Sequence, residues 1–206
     1  MPPTKFTKRQ FVTVDPSKCT GCGICEITCA QEKGEDVWNP LRSRIRIVRM
    51  KPLFNFALSC RACDEAECVK ACPEKALSQS EDTGVLMVNE NRCKGCDWCV
   101  QACPHGGIAI NPDTGFAMAC DVCGGDAQCV EFCPEEALVI VATDEEAEKL
   151  MSDTLERLPE ETEKVTNIVK NKDWKPILNE AEKRSEKISE KLEALSKKGR
   201  TKKQKK

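Results

Sequence analysis

The chain has 206 residues, a net charge of −2, 16 cysteines, only 4% aromatic residues and no tyrosine. No apolar run reaches the roughly 20 residues of a membrane-spanning helix, the N-terminus lacks the apolar core of a secretory signal, and the charge argues against a protein that coats nucleic acid. We therefore expect a cytoplasmic protein with reduced thiols, in which disulfide bonds are rare.

Short strands and groups of cysteines alternate over the first two thirds of the chain. Short β-branched runs bounded by turn residues predict the strands, which are residues 11–14, 39–49, 85–88, 108–110 and 137–141. The second of these alternates arginine with isoleucine, so one of its faces is apolar. We interpret its arginines as partners for acidic groups of another subunit, as balance for nearby negative charge, or as a solvated face.

The composition changes after Val141, where the cysteines, glycines and strand signals stop. Residues 143–146 form a capping box that predicts a helix ending at Pro159, and a weaker helix follows. Pro176 suits the first turn of a last helix, and the basic residues 197–206 predict a disordered end. The apolar stripes of these helices need a cover, which is the rest of the chain, a partner subunit or another copy.

All sixteen cysteines fall into four groups of four. Each group begins with C-x-x-C, adds a third cysteine after two to five residues and ends with C-x-x-x-C. The groups are Cys19, Cys22, Cys25 and Cys29; Cys60, Cys63, Cys68 and Cys72; Cys93, Cys96, Cys99 and Cys103; and Cys120, Cys123, Cys129 and Cys133. Proline follows the last cysteine in three groups, and Ala30 takes that place in the first.

Two metal chemistries are compatible with these groups. Zinc held by C-x-x-C pairs would make the chain a zinc-stabilised interaction scaffold, in which the C-terminal helices do the work. The run C-x-x-C-x-x-C-x-x-x-C-P is used for 4Fe–4S clusters, and zinc sites need neither the third close cysteine nor the final C-x-x-x-C-P. The pattern favours iron–sulfur clusters. In two-cluster ferredoxins the fourth cysteine of each run ligates the other cluster, so Cys29 is predicted to complete the cluster of another group.

The stretch from about Phe11 to Val141 resembles the four-cluster ferredoxin-type electron-transfer subunits of large redox enzymes. These include subunits of the DMSO-reductase family, of tungsten-dependent aldehyde oxidoreductases and of carbon monoxide dehydrogenases. The matching segments are CTGCGICEITC, NPLRSRIRIV, CRACDEAECVKACP, VNENRCKGCDWCVQACP and MACDVCGGDAQCVEFCP. The resemblance implies an α+β fold with two nested ferredoxin-like two-cluster modules, and the pattern after Val141 adds a helical C-terminal extension. The expected limits are a four-cluster domain over 1–142, with an inserted module at about 53–112, and a charged helical tail over 143–206 with a basic disordered end.

The resemblance also implies the ligands of four complete 4Fe–4S clusters. They are Cys19, Cys22, Cys25 and Cys133 for cluster one; Cys120, Cys123, Cys129 and Cys29 for cluster two; Cys60, Cys63, Cys68 and Cys103 for cluster three; and Cys93, Cys96, Cys99 and Cys72 for cluster four. No residue is assigned a catalytic role, and His105 is interpreted as a packing or surface residue.

The function implied by the resemblance is that of a non-catalytic subunit. It relays single electrons between a catalytic oxidoreductase subunit and a soluble carrier such as ferredoxin. The expected catalytic partner is a tungsten- or molybdenum-pterin aldehyde oxidoreductase; a carbon monoxide dehydrogenase, hydrogenase or formate dehydrogenase complex is the alternative. We expect air-sensitive clusters, no nucleic acid, no membrane span, and self-association through the C-terminal helices as a further option.

Overall fold

The computed structural model describes residues 8–34, 39–50 and 54–203. Over most of this length short strands alternate with short helices, and two long helices follow. In chain order the elements are β1 (Phe11–Val14), α1 (Ile24–Lys33), a 3₁₀ turn (Pro40–Arg42), β2 (Arg46–Met50), β3 (Phe54–Leu58), α2 (Glu67–Lys70), β4 (Leu77–Gln79), β5 (Leu86–Val88), α3 (Trp98–Ala102), β6 (Ile108–Ile110), β7 (Ala117–Ala119), a 3₁₀ turn (Val122–Gly125), α4 (Gln128–Glu131), β8 (Leu138–Val141), α5 (Asp144–Asn171) and α6 (Lys175–Lys203).

The strands form separate two-stranded antiparallel sheets. β2 pairs with β3, β4 with β5 and β6 with β7, so these sheets join neighbours in the sequence. β1 instead pairs with β8, from Phe11 opposite Val141 to Val14 opposite Leu138. The first and last strands therefore enclose all the others in sequence, and the mixture of small sheets and helices makes the fold α+β.

Most of the predicted strands are present. The confirmed ones are residues 11–14, 85–88, 108–110 and 137–141, each within one residue of its observed limits. The segment 39–49 becomes a strand only at Arg46, because Pro40 begins a 3₁₀ turn that Asn39 caps by accepting a 3.0 Å hydrogen bond from the Leu41 N–H. The sequence does not predict β3, β4 and β7; β4 (LSQ) and β7 (AMA) lack the β-branched residues on which strand patterns depend.

Cysteines belong to the apolar core, which helps to explain how a chain with so few aromatic residues forms one. One core brings together Val12, Val14, Ile45, Val85 and Leu138 with Cys25, Cys29, Cys129 and Cys133, all of them buried. A second core contains Leu77, Leu86, Ile108, Ala117 and Ala119 with Cys99. The sulfur sites are thus built into the hydrophobic packing of the protein.

The residue after the last cysteine of each group determines where the helix of that group ends. α2, α3 and α4 have four or five residues and end within two residues of Cys72, Cys103 and Cys133. Proline follows each of these cysteines, and the residue before a proline is disfavoured in a helix. With Ala30 in that place, α1 continues for ten residues to Lys33.

The first tail helix continues beyond its predicted end. α5 runs for 28 residues with Pro159 inside it, so the predicted end at Pro159 and the separate weaker helix are wrong. Proline removes one hydrogen bond, but Glu and Lys, which favour helix, continue on its C-terminal side, and the Thr162 hydroxyl donates to the Leu158 carbonyl at 2.7 Å. α6 carries Pro176 in its first turn, as predicted, and runs to Lys203 into the basic segment predicted to be disordered.

Each tail helix packs on the rest of the chain near one of its ends. Near the start of α5, Ala147 is buried with Phe11 and Val141. Near the end of α6, Leu195 is 2% exposed and packs with Phe132. Residues that precede the tail therefore cover the apolar stripes of both helices at these two places.

The stretch between these two contacts carries apolar side chains in water. Val169, Trp174 and Leu178 are 50%, 47% and 64% exposed. Within the described residues, no helix combines the length and the apolar character needed to cross a bilayer. These exposed apolar side chains lie on or between two helices whose other residues are mostly charged or polar.

Candidate metal centres

Four small cavities are each lined by four cysteines. Site one contains Cys19, Cys22, Cys25 and Cys133; site two contains Cys29, Cys120, Cys123 and Cys129; site three contains Cys60, Cys63, Cys68 and Cys103; and site four contains Cys72, Cys93, Cys96 and Cys99. Their empty volumes lie between about 300 and 380 Å³. Each cavity takes three cysteines from one group and the last cysteine of a different group.

The helix that ends each group separates its third and fourth cysteines. Cys25 and Cys29 lie four residues apart on α1, which is about 6 Å along a helix axis at a rise of about 1.5 Å per residue. The two sulfurs lie on the same side of the helix but face successive cavities, so Cys25 lines site one and Cys29 lines site two. The C-x-x-x-C spacing thus places one group on two sites.

Backbone N–H groups point at the sulfur of the last cysteine. Three of these bonds span four residues, from Ala76 to Cys72, from Gly107 to Cys103 and from Ala137 to Cys133, each at 3.3 Å. In group one, where α1 continues, the Arg44 N–H donates to Cys29 at 3.2 Å instead. The proline that ends the other helices lets the chain turn back on its own sulfur, and Cys29 takes its donor from a distant segment.

The chemistry of the four cavities fits iron–sulfur clusters. Burial raises the pKa of the Cys60 and Cys99 thiols to about 11, and it also raises the pKa of Cys120. Metals bind the thiolate form, so buried thiolates need positive metal charge to offset their desolvation. Four thiols around each cavity, in apolar surroundings with backbone donors to sulfur, form the donor set of a 4Fe–4S cluster.

The two alternative uses of the cysteines find no support in the structure. None of the sixteen cysteines, all of which lie in the described residues, forms a disulfide. Zinc needs ligands that converge on one ion at about 2.3 Å. Among residues 8–34, 39–50 and 54–203, no three His, Cys, Asp or Glu side chains are placed to hold a single ion.

Two family models of iron–sulfur domains match the chain. The 4Fe-4S dicluster domain matches residues 52–143. The 4Fe-4S binding domain matches residues 11–37. Together the two matches contain all sixteen cysteines.

Similar proteins are subunits of oxidoreductases. The polyferredoxin-like subunit of an aliphatic sulfonate oxidoreductase from Pyrococcus furiosus is 42% identical over 137 residues, which are 65% of this chain and 79% of that protein. The chain belongs to the polyferredoxin-like family of 4Fe–4S electron-transfer subunits. This chain is also 33% identical to PhsB, the thiosulfate reductase electron transfer subunit of Salmonella typhi. The match covers 68% of this chain and 79% of PhsB. This chain is 39% identical to the beta subunit of NADH-dependent phenylglyoxylate dehydrogenase from Aromatoleum evansii. The match covers 64% of this chain but only 30% of that larger protein.

Three arginines before and within β2 form ion pairs with acidic residues of this chain. The pairs are Arg42 with Asp113, Arg44 with Asp121 at 2.9 Å, and Arg49 with Glu26 at 3.1 Å. Arg49 also donates to the Gly21 carbonyl at 2.8 Å, next to Cys22 of site one. In the structure these three arginines therefore have acidic partners within this chain.

Asp121 links α1 to site two. Its carboxylate lies 2.8 Å from Lys33 Nζ and 2.9 Å from Arg44 Nη1. Burial opposes the charge of Asp121, but the hydrogen bond from Lys33 and the charge of Arg44 outweigh it and lower the pKa of this carboxyl. The three charges hold the end of α1 and the Arg44 N–H beside Cys29, an arrangement that sequence spacing does not indicate.

The sixteen cysteines differ in their access to solvent. Cys22 of site one and Cys96 of site four are exposed, and the other fourteen are half-buried or buried. Sites one and four thus each have one cysteine at the surface.

His105 lines site three and is half-buried. Its burial and, to a smaller extent, the positive charge of Arg61 lower the pKa of its imidazole.

Proposed function

We propose that the chain is a non-catalytic subunit that relays single electrons through four 4Fe–4S clusters. The observation that carries this proposal is the set of four cavities, each lined by four cysteines from two groups. A 4Fe–4S cluster supplies a one-electron couple whose potential depends on charge, hydrogen bonds to sulfur and exposure. The proposed ligands of clusters one to four are the cysteines that line sites one to four.

We propose two nested modules, which the strand pairing supports. The pairing of β1 with β8 joins the chain on either side of the other strands. In this proposal groups one and four form the outer module, and groups two and three form the inserted module at about 53–112. The four-cluster domain then covers 1–142, and the helical tail covers 143–206.

The neighbours of the four sites support a linear order from one to four, in which sites three and four share the second apolar core. Cys25 of site one and Cys129 of site two lie in the same apolar core. Val12 lines site two, and its carbonyl accepts a 2.6 Å hydrogen bond from Ser59, the residue before Cys60 of site three. Sites one and four, which hold the exposed Cys22 and Cys96, are the ends of this order. We propose that electrons enter and leave at these two ends.

The partners in this proposal are a catalytic oxidoreductase subunit and a soluble carrier such as ferredoxin. The similar proteins, an aliphatic sulfonate oxidoreductase subunit and a thiosulfate reductase subunit, support a catalytic partner. Our first candidate is a tungsten- or molybdenum-pterin enzyme of the aldehyde oxidoreductase type, on the basis of the cysteine segments. The exposed Trp174 and Leu178 support a further protein contact at the tail, including one with a second copy.

Metal analysis of the protein purified without oxygen tests the proposal. Four 4Fe–4S clusters give about sixteen iron and about sixteen sulfide per chain. We expect these values, little zinc, and EPR signals of interacting clusters after reduction with dithionite. Stoichiometric zinc with no acid-labile sulfide would contradict the proposal. Co-purification with a tungsten or molybdenum protein from the native host would identify the catalytic partner.

A further inference from the structure

Arg9 binds the loop that carries two ligands of site three. Its Nε lies 3.0 Å from the Ala62 carbonyl and 3.3 Å from the Arg61 carbonyl, and its Nη2 lies 3.1 Å from the latter. Arg61 and Ala62 are the two residues between Cys60 and Cys63. The backbone at Ala62 has a φ of 50°, in the left-handed region, so these hydrogen bonds hold the loop in a conformation that an alanine rarely adopts.

Asp144, the first residue of α5, holds the guanidinium of Arg9. Its Oδ2 lies 2.8 Å from Arg9 Nη2, and its Oδ1 lies 3.6 Å from Arg61 Nη1. The ring of Phe11, which is 0% exposed, lies 5.2 Å from the Arg9 guanidinium carbon. The Arg9 side chain is only 19% exposed, so its charge is screened less by solvent than that of a surface arginine.

The start of α5 is fixed independently of Arg9. Thr143 accepts a hydrogen bond from the Glu146 N–H, and the Glu146 carboxylate accepts one from the Thr143 N–H. This capping box orients the first turn of the helix. The capping box therefore positions Asp144 as a partner for Arg9. Asp144 belongs to the helical tail, which holds no cysteine.

We infer that Arg9 and Asp144 form a charge pair that positions the Cys60–Cys63 loop and sets the reduction potential at site three. The inference rests on the proposed cluster at that site. Arg9 is the positioning residue, since it binds the two carbonyls between the ligands. Asp144 acts through Arg9, because it orients the guanidinium and offsets its charge.

The two charges act on site three with opposite signs. The positive guanidinium of Arg9 is hydrogen-bonded to the loop between Cys60 and Cys63, and the negative carboxylate of Asp144 lies 2.8 Å behind it. Reduction adds one negative charge to a cluster, so a nearby positive charge raises its potential and a negative charge lowers it. Asp64, 3.9 Å from Arg9 Nη1, is 87% exposed and contributes little.

Two charge-removing variants of the full-length protein test the electrostatic part. An EPR-monitored redox titration of Arg9→Gln should show a lower potential for one cluster, and Asp144→Asn should raise the potential of the same cluster. Loss of its signal in Cys63→Ser identifies that cluster as the one at site three. Arg184→Gln and Glu180→Gln, which break an exposed pair on α6, should shift no potential.

A third variant tests the positioning part. Arg9→Lys keeps the charge but loses the planar fork that reaches two carbonyls. The potential should stay near that of the wild type, while release of iron to a chelator becomes about fivefold faster, the size expected for one hydrogen bond. Unchanged release in Arg9→Lys would contradict the positioning role.

The outcomes separate this inference from the proposed function. A wild-type protein with zinc in place of iron overturns both. Clusters that are present but shift in the same direction in Arg9→Gln and Asp144→Asn, or do not shift, overturn the inference alone. Opposite shifts confined to one cluster support it, since a loss of stability alone would not change sign between the two variants.

Discussion

At the scale of single residues, the last cysteine of each group determines how the chain connects its four cysteine-lined cavities. Cys129 and Cys133 belong to one group, but they line sites two and one. Cys133 accepts its hydrogen bond from the Ala137 N–H because the chain turns back after Pro134. Cys29 has no such turn and takes its donor from Arg44. Both solutions give a buried sulfur a backbone donor.

The crossed arrangement predicts that two cysteines of one group affect different clusters. Cys133→Ser should perturb the cluster of Cys19, Cys22 and Cys25, and Cys129→Ser should perturb the cluster of Cys120 and Cys123, because serine is a weaker ligand for iron than thiolate. EPR and Mössbauer spectra of the two variants, compared with iron content, distinguish the clusters. If both variants lose the same signal, the crossed ligation is wrong.

At the scale of elements, α6 is bound to the rest of the chain through a small contact. Leu195 packs with Ile24 and Phe132, and Lys191 Nζ donates to the Glu131 carbonyl at 3.1 Å. Ile24 and Phe132 are neighbours in sequence of Cys25 and Cys133 of site one. The end of α6 therefore packs on residues next to two cysteines of site one.

Leu195→Ala should release the end of α6. Removing a buried leucine side chain costs about 2–5 kcal/mol, whereas Leu178→Ala, at a position 64% exposed, should change stability by less than about 0.5 kcal/mol. Native-state hydrogen exchange of the α6 amides measures the opening free energy of this helix. Equal exchange in the two variants would show that the Leu195 contact does not hold α6 on the body.

At the scale of the whole molecule, the tail contacts segments beside sites one and three. Asp144 reaches the loop of site three through Arg9. Leu195 packs beside site one, as described above. The tail contains no cysteine, yet it contacts cysteine-bearing segments at both places.

A chain that ends after Val141 should bind its full complement of iron at first, because all sixteen cysteines precede that residue. Sites one and three should then release iron to a chelator faster than site four, since Leu195 packs beside site one and Asp144 reaches the loop of site three through Arg9. Iron release followed by EPR measures this order. Release at one rate from all four sites would contradict the roles of Asp144 and Leu195, and the full-length protein is the control.

The sequence by itself determined the chemistry and much of the local structure. The cysteine spacing indicates iron–sulfur ligation, and prolines after Cys72, Cys103 and Cys133 mark helix ends, because backbone geometry within a few residues fixes both. The strands at 11–14 and 137–141 follow from β-branched runs. Pro159 was a misleading signal, since the rest of a 28-residue helix continues past one missing hydrogen bond.

The tertiary structure alone decided the contacts between distant segments. Arg9 and Asp144 are 135 residues apart, and the Arg44 N–H reaches the sulfur of Cys29 only because α1 lacks a proline after that cysteine. Neither contact follows a local period, and the first depends on how β1 and β8 bring the ends of the ferredoxin-like region together. Local spacing therefore specifies which ligands are available, and the packing of distant elements places the charges and donors around them.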